Sequence, residues 1–162
     1  MNFDLDPSDL EHDISDDTIA YDAKDRPVLI IHAKGLRDAV ETGTAWTLDS
    51  MAVAGVPYGM FIDPDNLWIF RADSPDPREP ILKFKTADIF TFYYPKYSTY
   101  TGLSRSSLAG MAESWLRDIA YHWKSERPPA IDRIEEIGLA GRLAGGTTRS
   151  DSYRAYAHLY RD

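Results

Sequence analysis

The chain has 162 residues, enough for one compact domain with a real core, and its 43% hydrophobic and 12% aromatic content excludes a disordered polymer. A formal charge of −8 argues against a broad nucleic-acid-binding face, which needs a basic surface to neutralise phosphates, but it leaves room for a local basic cleft. With no cysteine, disulfides, thiolate metal sites and Cys nucleophiles are excluded; no apolar run reaches membrane-spanning length, so the expected location is cytoplasmic, with no membrane partner.

Residues 1–16 read as an irregular acidic lead-in in which Asp4, Asp6, Asp9, Glu11, Asp13 and Asp16 face no Lys or Arg, with at most a turn of helix at "PSDLEH". "TIAYD" and "PVLIIHA", joined by the polar "AKDR", read as a β-hairpin. The second run is continuously apolar, as a central strand buried on both faces should be. Residues 36–54 have helical length, with Leu36, Ala39, Val40, Trp46 and Met51 as inward candidates, and Gly55 followed by Pro57 ends the helix. "YGMFI" and "LWIFR" flank the turn "DPDN"; after the proline-rich "ADSPDPREP", "ILKFK" is one more strand and "TADIFTFYY" a short helix capped by Thr86.

The Tyr-rich loop "YPKYSTYTGLSR" precedes the strongest periodicity in the chain. Leu108, Met111, Ala112, Trp115, Leu116, Ile119, Ala120 and Trp123 recur at helical spacing over 105–124 and read as core. "AIDRIEEIGLAGRLA" reads as one final amphipathic helix stopped by Gly145 and Gly146. The order predicts an α/β fold in which helices flank a small mixed sheet, with extra C-terminal helices. A single domain spans 17–146, and the tail 147–162 is left open as a peripheral strand, a short helix or a partner-binding arm.

The chemistry concentrates in "DDTIAYDAKDRPVLIIHAKG". Asp17 opens the first strand and Lys34 follows the second, so a hairpin puts them at the same end of the sheet; His32 and Lys34, two apart in extended chain, share a face. A carboxylate with a neighbouring amine is the minimum equipment for metal-assisted phosphodiester hydrolysis. The carboxylate helps hold Mg²⁺, and the amine orients water and stabilises developing charge.

At these residues the chain resembles the PD-(D/E)xK nuclease superfamily, and within it the amino-terminal nuclease domain of type I restriction motor subunits. The likeness rests on Asp17 in "DTIAYD", on "KDRPVLIIHAK" ending in Lys34, on "AGVPYGMFIDPDNLWIFR" and on the "TADIF" helix, across roughly residues 16–95. It implies a restriction-endonuclease-like fold and a Mg²⁺- or Mn²⁺-dependent endonuclease acting on DNA. Asp17 and Lys34 would then be catalytic, Asp17 would bind metal, and His32 or Glu41 would complete the site.

The chain departs from the pattern in three places. His32 stands where the motif has Glu, no Gln lies near Trp46 and Thr47, and the usual preceding helix is reduced to residues around Glu11. An imidazole favours softer cations than Mg²⁺, so His32 would take Mn²⁺ or act as a base, or Glu41 or Asp38 on the next helix would supply the missing carboxylate.

A different class of function reads the same residues as a catalytically silent binding or scaffold module in a defence or mobile-element system, with His32 a satisfied core histidine. A third reading uses the Tyr-rich loop, with Phe92, Tyr93, Tyr94, Lys96, Tyr97, Tyr100 and Arg105, together with the tail, as a protein-binding surface. His122 and His158 are too isolated to form a metal site, and "GLAGRLAGG" lacks the Lys-Ser/Thr of a phosphate loop.

Overall fold

A computed structural model describes residues 17–36 and 40–150. The acidic lead-in, Asp38, Ala39 and the tail from 151 onward, including His158, lie outside them. Six strands form one mixed sheet: β1 (Thr18–Tyr21), β2 (Pro27–Ala33), β3 (Tyr58–Ile62), β4 (Asn66–Arg71), β5 (Leu82–Lys85) and β6 (Thr147–Ser150), in the order β5-β4-β3-β2-β1-β6. Only β2 and β3 run parallel; every other neighbouring pair is antiparallel. The parallel pair needs a crossover, which helix α1 (Val40–Ala54) supplies.

The predicted hairpins are present. In the first, Asp22 Oδ1 accepts from the N–H groups of Lys24 and Arg26, both at 2.9 Å, and Asp25 takes the left-handed conformation with φ 64°. Those hydrogen bonds, that from the Arg26 backbone foremost, hold the Asp22 carboxyl below the ordinary value of 3.8. In the second, buried Asp63 holds the turn by accepting from the N–H groups of Asp65 and Asn66 at 2.8 and 2.7 Å.

Alternation along the strands divides the core between two faces. Ala20, Leu29, Ile31, Met60, Ile62, Leu67 and Ile69 face the long helix α3 (Arg105–Tyr121), together with α2 (Thr86–Phe90), α4 (Ile131–Glu136) and α5 (Leu139–Leu143). Ile19, Tyr21, Ile30, Phe61, Trp68 and Phe70 form the other face, which α1 covers with Met51. Both faces of β2 are therefore buried, as its unbroken apolar run predicts.

Several helices differ from expectation. The inward face of α1 is Gly43, Thr47, Ser50 and Met51, while Leu36 and Val40 are exposed. The burying face is small and polar because the helix lies close on β3: a Cβ at Gly43 would overlap the Phe61 ring, and one at Gly59 would press on Met51 and Thr47. Hydrophobicity alone cannot locate such a face.

Thr86 does not cap α2; it is the first helical residue, and its hydroxyl donates to Asp63 O at 2.9 Å. Helix α3 ends at Tyr121 because His122 turns left-handed at φ 55°, which leaves Trp123 exposed instead of in the core stripe. The single final helix is two short ones, α4 and α5, broken at Gly138 where φ is +83°. Residues 147–150 form the edge strand β6, so of the options left open for the tail the described part takes the strand.

Candidate functional site

The β1–β2 register pairs Thr18 with Ile31, so Asp17, one residue earlier, stands beside His32. Their side chains meet: His32 Nδ1 lies 2.8 Å from Asp17 Oδ1, with both side chains 1% exposed. An ionised carboxylate only accepts, so Nδ1 carries the proton and donates it. The second Asp17 oxygen takes two donors from α1, the Ser50 hydroxyl at 3.2 Å and the Trp46 indole N–H at 3.4 Å. Trp46 and Ser50 are four apart on the helix and so reach one point together.

Around this pair a row of residues crosses the sheet on the face under α1. His32 pairs with Phe61, Phe61 with Trp68 and Trp68 with Lys83. The rings stack in sequence: His32 to Phe61 at 5.9 Å, Phe61 to Trp68 at 5.4 Å, and Lys83 Nζ lies 5.8 Å from the Trp68 ring centre. Trp46 covers the imidazole at 5.3 Å and 21° between planes. His32 is thus packed among aromatic rings, and its Nε2 is buried with no hydrogen-bond partner among the described residues.

Of the residues expected at the site, Asp17 and His32 are brought into direct contact. Lys34 follows β2, its N–H donating to Ile62 O at 2.9 Å, and by strand alternation it lies on His32's face. Its side chain is half-buried, and no described residue pairs with its ammonium. Glu41 is exposed on the first turn of α1, turned away from the inward residues Gly43, Thr47 and Ser50, and does not join Asp17 and His32. Ser50 and Trp46 are the site residues that sequence reasoning missed. Helical spacing predicts Trp46 as an inward core residue; the further signal is two hydrogen-bond donors one turn apart in a helix of weak apolar pattern.

These residues do not fit a Mg²⁺ or Mn²⁺ ion. A carboxylate offers about four lone-pair positions, and three donors already use most of those on Asp17. His32 Nδ1 is spent on Asp17, Nε2 is sealed among rings, and Glu41 points elsewhere. Among the described residues no group of three His, Asp or Glu gathers as a metal site.

The Tyr-rich loop is mostly built into the fold. Tyr93 donates to Asp118 Oδ2 at 2.7 Å, Tyr94 bonds the Ser114 hydroxyl at 2.7 Å, and Tyr97 donates to Pro64 O at 2.7 Å. Asp118 is fully buried, and its other oxygen accepts the N–H groups of Lys124 and Ser125 just past α3. Burial, then the Asp118 carboxylate, push the Tyr93 phenol well above its ordinary value of 10.0, so it stays a donor. His122 is a helix terminus whose Nδ1 lies 3.1 Å from Ser125 O.

No family profile, curated protein or solved structure matched the chain. Fold and site together define a mixed α/β domain with a six-stranded sheet and a buried Asp–His pair under a crossover helix. No described helix is long and apolar enough to cross a membrane.

Proposed function

We propose that the chain is a restriction-endonuclease-like domain whose nucleolytic centre has become part of its core, leaving a non-hydrolysing binding or scaffold module. Support for the ancestry comes from the order of parts. Asp17 precedes one strand, His32 and Lys34 end its antiparallel neighbour, and a crossover helix leads to a parallel strand and a hairpin.

One observation carries the loss of hydrolysis: both oxygens of buried Asp17 are bound by protein donors, from His32, Ser50 and Trp46. A hydrated cation would have to displace those donors and the indole cover, and a lone carboxylate returns little for that desolvation. His32 has taken the second carboxylate's place as a hydrogen-bond donor. The motif position is kept and its charge logic inverted.

A plasmid-nicking assay with Mg²⁺ and with Mn²⁺ tests this reading. Wild type and Lys34→Ala are expected to be equally silent, and cleavage by wild type that Lys34→Ala abolishes would overturn it. Such cleavage is the second reading, a metal-dependent DNA endonuclease with an altered motif. It is favoured by the Nε2 of His32, which has no partner among the described residues, and by an ammonium on the same strand face. For it to hold, α1 must move off Asp17.

A further inference from the structure

At the end of the sheet where β2 and β3 finish lies a cavity of about 420 Å³, within the range of small-molecule sites. Three chain segments wall it: the β3–β4 turn, the β5–α2 junction and the loop running from the 3₁₀ turn Tyr97–Thr99 to Leu103. Hydrogen bonds fix these segments to one another. The Thr86 N–H donates to Asp65 O at 3.1 Å, the Thr86 hydroxyl to Asp63 O at 2.9 Å, and the Tyr97 hydroxyl to Pro64 O at 2.7 Å. Leu103 rests on Gly35 so closely that a Cβ there would overlap its carbonyl, which docks the loop against the end of β2.

The walls are pre-organised, and three of the polar tips lining them have no partner among the described residues. Lys85, Asn66 and Ser98 line the cavity, and no described residue pairs with the Lys85 ammonium, the Asn66 carboxamide or the Ser98 hydroxyl. Tyr100 adds a ring that is 40% exposed and held edge-on by Tyr97 at 6.1 Å. A rigid crevice whose cation, amide and hydroxyl have no partner among the described residues, beside an open aromatic ring, has the composition of a ligand site.

We propose that this cavity binds a planar heteroaromatic group carrying a single phosphate, a nucleoside monophosphate or the 5′-terminal nucleotide of a strand. The base stacks on Tyr100, its edge bonds the Asn66 carboxamide, and the phosphate pairs with Lys85. Lys85 is the cation among the lining residues, which suits one phosphate better than the polyanion of a triphosphate. None of these residues belongs to the Asp17–His32 pair, so the site stands whether or not that pair hydrolyses anything.

Calorimetric titration of the full chain tests the proposal. The probes are AMP, GMP, CMP and UMP, with adenosine, inorganic phosphate, ATP and a 5′-phosphorylated single-stranded oligonucleotide. At least one monophosphate is expected to bind more tightly than adenosine, phosphate or ATP. Tyr100→Ala should weaken it about tenfold through lost stacking and Lys85→Ala about fivefold or more through the lost charge. Lys83→Ala, an exposed cation outside the cavity, should leave binding unchanged. Tighter binding of the oligonucleotide than of every monophosphate assigns the ligand to a strand end, and the reverse order to a free nucleotide. Absence of monophosphate binding at millimolar concentration overturns the proposal, as does binding that Tyr100→Ala and Lys85→Ala both leave intact. Both side chains are exposed, and an unchanged unfolding midpoint confirms that the variants remain folded.

Discussion

Asp17 shows how a single neighbour decides what a carboxylate does. Beside a second acid it would repel and invite a cation; beside His32 it accepts a proton-bearing nitrogen and is satisfied internally. Ser50 and Trp46 complete its shell, so the charge is buried and compensated. Removing the main donor should be severe. His32→Ala leaves a buried carboxylate with two weaker partners and a void between rings, and is expected to cost about 3–5 kcal/mol in urea unfolding. A loss under about 1 kcal/mol would mean that the contact with His32 is not what holds Asp17 in the core. Asp17→Asn keeps the volume and two of the contacts, so its loss should be smaller.

Elements are joined here through buried polar anchors as much as through apolar contact. Asp118 ties the end of α3 to the following turn and, through Tyr93, to the segment after α2. Tyr93→Phe removes one donor and should cost about 1–3 kcal/mol at neutral pH by leaving Asp118 Oδ2 unpaired.

The pH dependence of this contact has a definite sign. The folded-state value of the Tyr93 phenol is raised above its ordinary 10.0, so its contribution is fully present below pH 10 and is lost as pH rises beyond that. Unfolding curves at pH 8 and pH 11 should show the difference between wild type and Tyr93→Phe shrinking at the higher pH, where the phenol ionises in the unfolded chain. A constant difference would contradict the assignment. Helix α1 makes the complementary point: its close approach depends on Gly43, above which the Phe61 ring is clamped by its stack with His32 and Trp68.

Across the whole molecule, β6 closes the sheet on the side of β1, bringing Arg149 4.5 Å from the Tyr21 ring and the Thr148 hydroxyl 2.8 Å from Glu113 on α3. It also covers the strand that leads out of Asp17. A chain ending at residue 146 should therefore be less stable than one ending at 150, and should associate through the bared β1 edge. Light scattering and urea unfolding of the two chains check this, and equal behaviour would show that β6 is dispensable.

Much of this architecture was legible because local chemistry is strong there. "PVLIIHA" has no polar side to show solvent, "DPDN" contains the Asp that builds its own turn, and the stripe from Leu108 to Ile119 has only one way to be buried. The strand-opening Asp and the shared face of His32 and Lys34 follow from strand geometry alone. Other features were settled only by tertiary packing. The inward face of α1 is chosen by what fits against Phe61, not by hydrophobicity. Trp123 leaves the core because His122 ends the helix, and the last helix breaks where Gly138 turns. Above all, the sequence by itself put an acid, an imidazole and an amine at one end of a sheet. Which atoms bond there depended on Ser50 and Trp46 arriving from a helix whose pattern turned Trp46 inward as core and gave no sign of Ser50. A carboxylate's partners are set by groups within about 3 Å, and no linear spacing specifies those across a crossover.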